Sequence, residues 1–186
     1  METKEQLIEI ASELLIDNGY NAFSYKTISE KIGIKTSSIH YHFPSKVDLG
    51  ISVVKKHQQA MEELIARTQN APAIKKLEKI FTYYKRLAQA QKVCIVGALT
   101  SDISTLEEPL KMEIIRFSSQ VIDFIVAIFE QGQYENTIAQ FPTNQIKARN
   151  VIATMVALVQ FRRIDHDYTS FAASMDVLWN ELTIKN

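Results

Sequence analysis

Within six residues, Thr36, Ser37, Ser38, His40 and Tyr41 supply five hydrogen-bond donors, and no acid interrupts them. Lys26, Lys31, Lys35 and Lys46 flank the stretch. Hydroxyls, an imidazole and ammonium groups without a carboxylate among them suit phosphates and base edges, because nothing there repels a polyanion. Bond-breaking chemistry has no comparable cluster. The chain carries no phosphate-cradling glycine loop, no His-Glu-x-x-His and no Gly-x-Ser-x-Gly. Cys94 and the distant His166 have no spacing that pairs a nucleophile with its base. His40 and His42 point about 200° apart around a helix and cannot share an ion. Asp165-His166-Asp167 reads as a solvated loop cluster. No enzyme activity, metal or cofactor is expected.

The elements that must carry these side chains are helices. Ile28 and Ile32 lie four apart and share one face of a short helix from about Ser24 to Ile32. Ile39 and Phe43 do the same on a second, from about Thr36 to His42, with Gly33-Ile34 as turn and anchor between. Two short helices crossing on a small core, with a polar free face on the second, make a helix-turn-helix, whose second helix enters a DNA major groove. An ordinary helical hairpin with a solvated outer face fits the same pattern equally well.

The rest of the chain is also helical by period and punctuation, and the expected class is all-α with about nine helices. Pro44, Pro72, Pro109 and Pro142 each precede a helical pattern, where a missing N–H costs nothing. Gly19, Gly33 and Gly132 each follow one, as residues that take positive φ. Thr3 and Gln6 stand in capping-box spacing before the first helix, which stops at Asn18-Gly19. Ser45 and Asp48 repeat that spacing before a helix reaching about Gln69. Further helices are expected over 73–91, from Pro109 to Gln131, over 144–162, and over 170–184 with Ser170 as cap. The segment 93–105 is ambiguous, and 133–143 reads as a loop.

Charge is distributed unevenly. The 186 residues sum to zero, with 21 basic and 21 acidic side chains. Residues 1–17 carry −4, residues 18–56 carry +4 and the remainder balances. The neutrality is a cancellation, and the positive part falls on the proposed DNA-reading segment. A chain of this length needs no disulfide staple, and one cysteine points to a reducing, cytoplasmic setting. The opening Met1-Glu2-Thr3-Lys4 lacks the order of a leader peptide. The most apolar stretch, Val151 to Phe161, is too short to cross a bilayer.

The run Gly33-Ile34-Lys35-Thr36-Ser37-Ser38-Ile39-His40-Tyr41-His42-Phe43-Pro44-Ser45-Lys46-Val47-Asp48-Leu49 resembles the DNA-binding segment of the TetR/AcrR family of bacterial transcriptional regulators. The resemblance covers residues 3–56 by motif. Beyond them it rests on helix count, length and a Cys94-x-x-Gly97-x-Leu99 segment similar to that of some members. It implies a homodimer, usually a repressor, that leaves double-stranded DNA when a small molecule enters the larger domain. Residues 1–46 would be the DNA-binding domain and 47–186 the ligand-binding and dimerisation domain.

Carried over by position, Ser24 caps the first short helix, and Tyr25 and Lys26 stand where that helix approaches DNA. Thr36, Ser37 and Ser38 occupy the base-reading start of the recognition helix, with Lys35 before them. His40 and His42 take the ring positions that meet phosphates, and Lys46 the phosphate-contacting place of the next helix. The first ring position is commonly Tyr. Here it is His40, with Tyr41 beside it.

Two expectations concern the larger part. Val151–Phe161 is apolar on almost every side, so the last two helices are expected to pair with their copies in a dimer. Tyr83, Tyr84, Cys94, Phe117, Ser118, Gln120 and Phe124 mix aromatic surface with polar handles, as small-molecule pockets do, although plain core accounts for each equally well. The rival function is a helical enzyme or scaffold that never meets DNA.

Overall fold

A computed structural model describes residues 3–184. The opening Met1-Glu2 of the leader reading, and the outermost residues of the two expected domains, lie outside them. Among the described residues there are nine α-helices and one 3₁₀ turn, and the chain is all-α. They form two compact units, one of residues 1–62 and 95–118, the other of residues 63–94 and 119–186.

In the first unit, α1 (Thr3–Asn18), α2 (Tyr25–Ile32) and α3 (Thr36–His42) precede the start of α4 (Lys46–Arg67). Residues 95–118 add α6 (Ile95–Ser101), a 3₁₀ turn (Ile103–Thr105) and the first turns of α7 (Glu108–Tyr134). The apolar positions at helical spacing fill the centre: Leu7, Ala11 and Leu15 of α1, Ile28 of α2, Ile39 of α3, and Leu49 and Val53 of α4 are fully buried. Each of these leucine, isoleucine and valine side chains contributes about 1.5–3 kcal/mol on burial. Ile32 and Ile34 are only half-buried. Two glycines end helices as their positions suggest: Gly19 at φ 85° and Gly33 at φ 79°, each returning its N–H to the preceding helix. Ser45 and Asp48 close a reciprocal capping box, with Asp48 Oδ2 accepting from Ser45 N–H at 3.0 Å and Ser45 Oγ from Asp48 N–H at 3.2 Å.

The second unit holds the end of α4, α5 (Ala73–Gln89), the rest of α7, α8 (Asn144–Asp165) and α9 (Tyr168–Leu182). Phe171, Met175, Leu178 and Leu182 form the buried stripe of α9 and are covered within the single chain. Residues 133–143 are less of a loop than expected: α7 runs to Tyr134, and an antiparallel bridge joins Ile138 to Thr183.

Two expected helix ends are wrong, for related reasons. Gly132 does not terminate α7; the helix continues through it. The glycine is there for space, since a Cβ would fall 2.5 Å from Ile138 Cδ1 and Cγ1. Ser170 does not cap α9. Asp167 does, accepting from the amides of Thr169 and Ser170 at 2.9 and 3.1 Å. In both cases a contact outside the helical period decides the matter. An alanine at Gly132 is therefore expected to destabilise the protein by about 1–3 kcal/mol through overpacking, although glycine to alanine inside a helix normally stabilises by up to about 1 kcal/mol. Urea denaturation of Gly132→Ala measures which term wins; a raised midpoint would show that Ile138 gives way.

Candidate nucleic-acid interface

The candidate DNA-reading face is built from α2, α3 and the start of α4. α2 begins at a capping box: Ser24 Oγ accepts from Thr27 N–H at 3.2 Å, and Thr27 Oγ1 accepts from Ser24 N–H at 3.3 Å. Ser24 is thus a cap by geometry. Gly33 turns the chain, and α3 follows without a side-chain cap. α3 has seven residues and keeps one, Ile39, fully inside. Lys35, Thr36, Ser37, Ser38, His40 and Tyr41 all face solvent, Tyr41 with 84% of its surface exposed. Lys26 on α2 is exposed as well, 4.0 Å from Glu30 in a surface pair of little energetic consequence.

Four residues expected at DNA also make contacts within the fold. The Tyr25 hydroxyl donates to the Phe43 carbonyl at 2.8 Å, tying α2 to the end of α3. Burial, with Asp48 and Tyr20 nearby, pushes that phenol up to about 12, so it remains a donor. Its ring meets the His40 ring edge-on, 4.7 Å between centroids, while His40 Nδ1 lies 3.4 Å from the Pro44 carbonyl. His42 is half-buried with its ring edge-on to Tyr41. Lys46, the first residue of α4, is half-buried. Its Nζ stands 4.4 Å from the Tyr20 ring centroid and 4.6 Å from that of Phe23. Burial lowers its pKa, and Asp102 opposes the shift.

The charge pattern changes in space. Lys31 pairs with Glu13 of α1 at 2.9 Å, and Lys56 pairs with Glu9. The acidic first helix therefore neutralises part of the basic segment beside it, and what faces outward around α3 is Lys26 and Lys35. A further anchor was invisible in the sequence. Asn21 donates its backbone N–H and Nδ2 to Asp102 at 3.2 and 3.0 Å, and Nδ2 also to Thr105 at 2.8 Å. This fastens the loop before α2 to a segment eighty residues away. No local pattern marks such a partner.

α1 and α4 meet at Ser12 Oγ and His57 Nε2, 2.9 Å apart. Burial, aided by neighbouring Lys56, pushes the His57 imidazole from 6.5 down to about 4. An unfolded chain binds a proton there between those two values, and the folded one does not. The stability held by neutral His57 is whole above pH 6.5 and is lost as pH falls toward 4. The loss should be about 2 kcal/mol at pH 5. Urea midpoints at pH 7.5 and 5 measure it; an unchanged pH dependence in His57→Gln would count against this assignment.

The proposed ligand residues fall into two groups. Tyr84 and Cys94 are buried and share a hydrogen bond, and Tyr83 packs edge-on against Tyr84 with 42% of its surface exposed. Burial and the Cys94 thiol hold the Tyr84 phenol well above its ordinary range. Phe117, Ser118, Gln120 and Phe124 all lie on α7. The two phenylalanines are buried, and Gln120 is half-buried. The Ser118 hydroxyl donates to the Ile115 carbonyl of its own helix at 2.9 Å. The first two of the four belong to the first unit and the last two to the second. Among the described residues, no three His, Cys, Asp or Glu side chains are grouped to hold a metal. None of their helices is long and apolar enough to cross a membrane.

Comparison with known proteins places this geometry. Residues 7–53 match the family described as bacterial regulatory proteins, tetR family. The HTH-type transcriptional repressor DhaR of Mycobacterium sp. (strain GP1) is 19% identical over 182 residues, spanning 96% of this chain and 91% of the relative. A TetR-family transcriptional regulator from Agrobacterium tumefaciens superposes with a TM-score of 0.90 at 29% identity, covering 97% of each chain. A TetR transcriptional regulator from Legionella pneumophila does so at 0.88 and 27%, covering 98% of each.

Proposed function

We propose that this chain is a DNA-binding transcriptional regulator of the TetR/AcrR family rather than an enzyme, a cytoplasmic homodimeric repressor released from a palindromic operator by a small molecule. One observation carries the reading: α3 buries Ile39 and turns Thr36, Ser37, Ser38, His40 and Tyr41 outward. A seven-residue helix that presents hydroxyls and rings, without a carboxylate, has the chemistry to read a major groove. Residues 1–46 form the DNA-reading module in this proposal and 47–186 the effector and dimer module. Thr36, Ser37 and Ser38 meet base edges. Lys26, Lys35, His40, Tyr41 and His42 meet phosphates. Ser24, Tyr25 and Lys46 contact DNA only where their positioning work leaves an atom free.

The dimer is supported by an uncovered stripe. Ile146, Ala153, Ala157, Phe161 and Ile164 lie within about 80° of one another around α8. All five are exposed, as is Val177 of α9. Apolar surface in register along a helix needs a cover, and a second copy supplies it symmetrically. Sedimentation showing a monomer at micromolar concentration would overturn this part.

In a dimer the two α3 helices sit one DNA turn apart, or a multiple of it. An effector in the region of Tyr83, Tyr84 and Cys94, or along Phe117, Ser118, Gln120 and Phe124, then favours another separation. Effector and operator weaken each other by the same factor. Footprinting the purified protein on DNA upstream of its own gene and neighbouring genes tests the reading. A protected palindrome supports it, and uniform weak protection everywhere would refute it.

A further inference from the structure

Arg162 occupies the last turn of α8 and has 9% of its surface exposed. Its Nε and Nη1 are hidden from solvent and have no hydrogen-bond partner among the described residues. A guanidinium does not shed its proton to escape burial, so the charge persists and needs an acceptor. Val151, Met155 and Val159 share its helix face and are apolar and buried. The elements packed against α8 in this unit are α5 and α9.

The two nearby acids in the sequence are committed elsewhere. Asp167 is exposed and accepts from the amides of Thr169 and Ser170 and from the Ser170 hydroxyl. Asp165 accepts from the Asp167 amide. Asp167 feels the Arg162 charge, but only as the least of the influences on its carboxyl. The sequence gives no warning, because a basic pair at 162–163 looks like ordinary complementation of a helix C-terminus.

We propose that Arg162 is the anchoring cation for a small molecule bearing a carboxylate on an apolar body, taken up at the face of α8 that packs against α5 and α9. A carboxylate oxygen at Nε or at Nη1 supplies the acceptor that atom lacks, and the surrounding aliphatic side chains take the body. A second copy of the chain is the wrong occupant. The exposed stripe centred on Ile146 and Ile164 lies about 160° around α8 from Arg162, so a partner covering that stripe stays away from the guanidinium. The inference rests on reading the second unit as the effector module, and names the charge of the effector.

Thermal melting of the full chain without DNA tests it, with octanoate, uncharged octanamide and inorganic phosphate as probes. Octanoate at a hundred times its Kd should raise the wild-type Tm by roughly 5 °C or more, with little effect from the other two. Arg162→Met should melt no lower than wild type without ligand, because it removes two buried donors that have no acceptor, and should lose the octanoate shift. Arg162→Lys, which keeps the charge but not the planar set of donors, should retain only part of it. Equal shifts from octanoate and octanamide overturn the proposal, as does a shift from phosphate alone or none at all. An Arg162→Met protein that melts early or fails to fold also overturns it, by showing that the guanidinium is paired within the fold. Operator binding is measured separately. Loss of it with the octanoate result intact would refute the regulatory reading and leave this one standing.

Discussion

Ile39→Ala is expected to destabilise the first unit by about 3 kcal/mol, within the range for truncating a fully buried isoleucine. Operator binding should weaken with it. α3 has only seven residues, too few to be helical alone, so its geometry depends on docking. Ile39 is its fully buried side chain. Just beyond, the Phe43 amide donates to the Ile39 carbonyl at 2.8 Å, and the Tyr25 hydroxyl holds the Phe43 carbonyl. Loosening that anchor lets the whole reading face drift. Chemical denaturation and fluorescence anisotropy on operator DNA would show both losses. Tyr41→Ala is the contrast: with its ring in solvent, it should leave stability within about 0.5 kcal/mol. A stable Ile39→Ala protein with full affinity would mean that α3 is held by something other than its core residue.

Thr36→Glu should produce the opposite pairing of effects. Thr36 is exposed at the first position of α3, where a carboxylate favours the helix dipole by about 0.3–1 kcal/mol. The fold should therefore hold or gain slightly. Facing DNA, the same carboxylate both loses a donor and repels phosphates. At about 1–3 kcal/mol per half-site, presented twice by a dimer, operator affinity should fall roughly 30- to 20,000-fold. The repulsive part is screened, so the deficit should narrow as salt rises. Anisotropy titrations at two ionic strengths, beside a melting curve, measure both terms. Unaltered affinity would move α3 out of the groove and undo the proposed reading.

Much of the first unit was legible because its signals are local. Ile28 with Ile32, Ile39 with Phe43, the glycine between them, and the Ser45–Asp48 box all act within one or two turns. The bounds of α3 and the caps of α2 and α4 follow from them. Where the deciding contact lay outside the pattern being read, the reading failed. Gly132 looked like a terminator and proved to be a clearance for Ile138. Ser170 looked like a cap, but Asp167 was better placed to receive two amides. The helix after Pro72 draws its N-terminal acceptor from Glu135, whose carboxylate takes the Ala73 amide at 2.9 Å from sixty-two residues away.

The sequence by itself determined that the chain is helical, where the short helix α3 begins and ends, and that its outer face is free of acid. Periodicity, capping and turn chemistry are properties of neighbouring residues, so they need no fold to be read. Tertiary structure decided which charges remain to act. Lys31 and Lys56 are drawn to the acids of α1, and Lys46 is settled over Tyr20 and Phe23. Arg162 is carried into an apolar face where its Nε and Nη1 find no acceptor. Coulomb and desolvation energies depend on distance and burial, and neither quantity exists until helices far apart in the chain have packed.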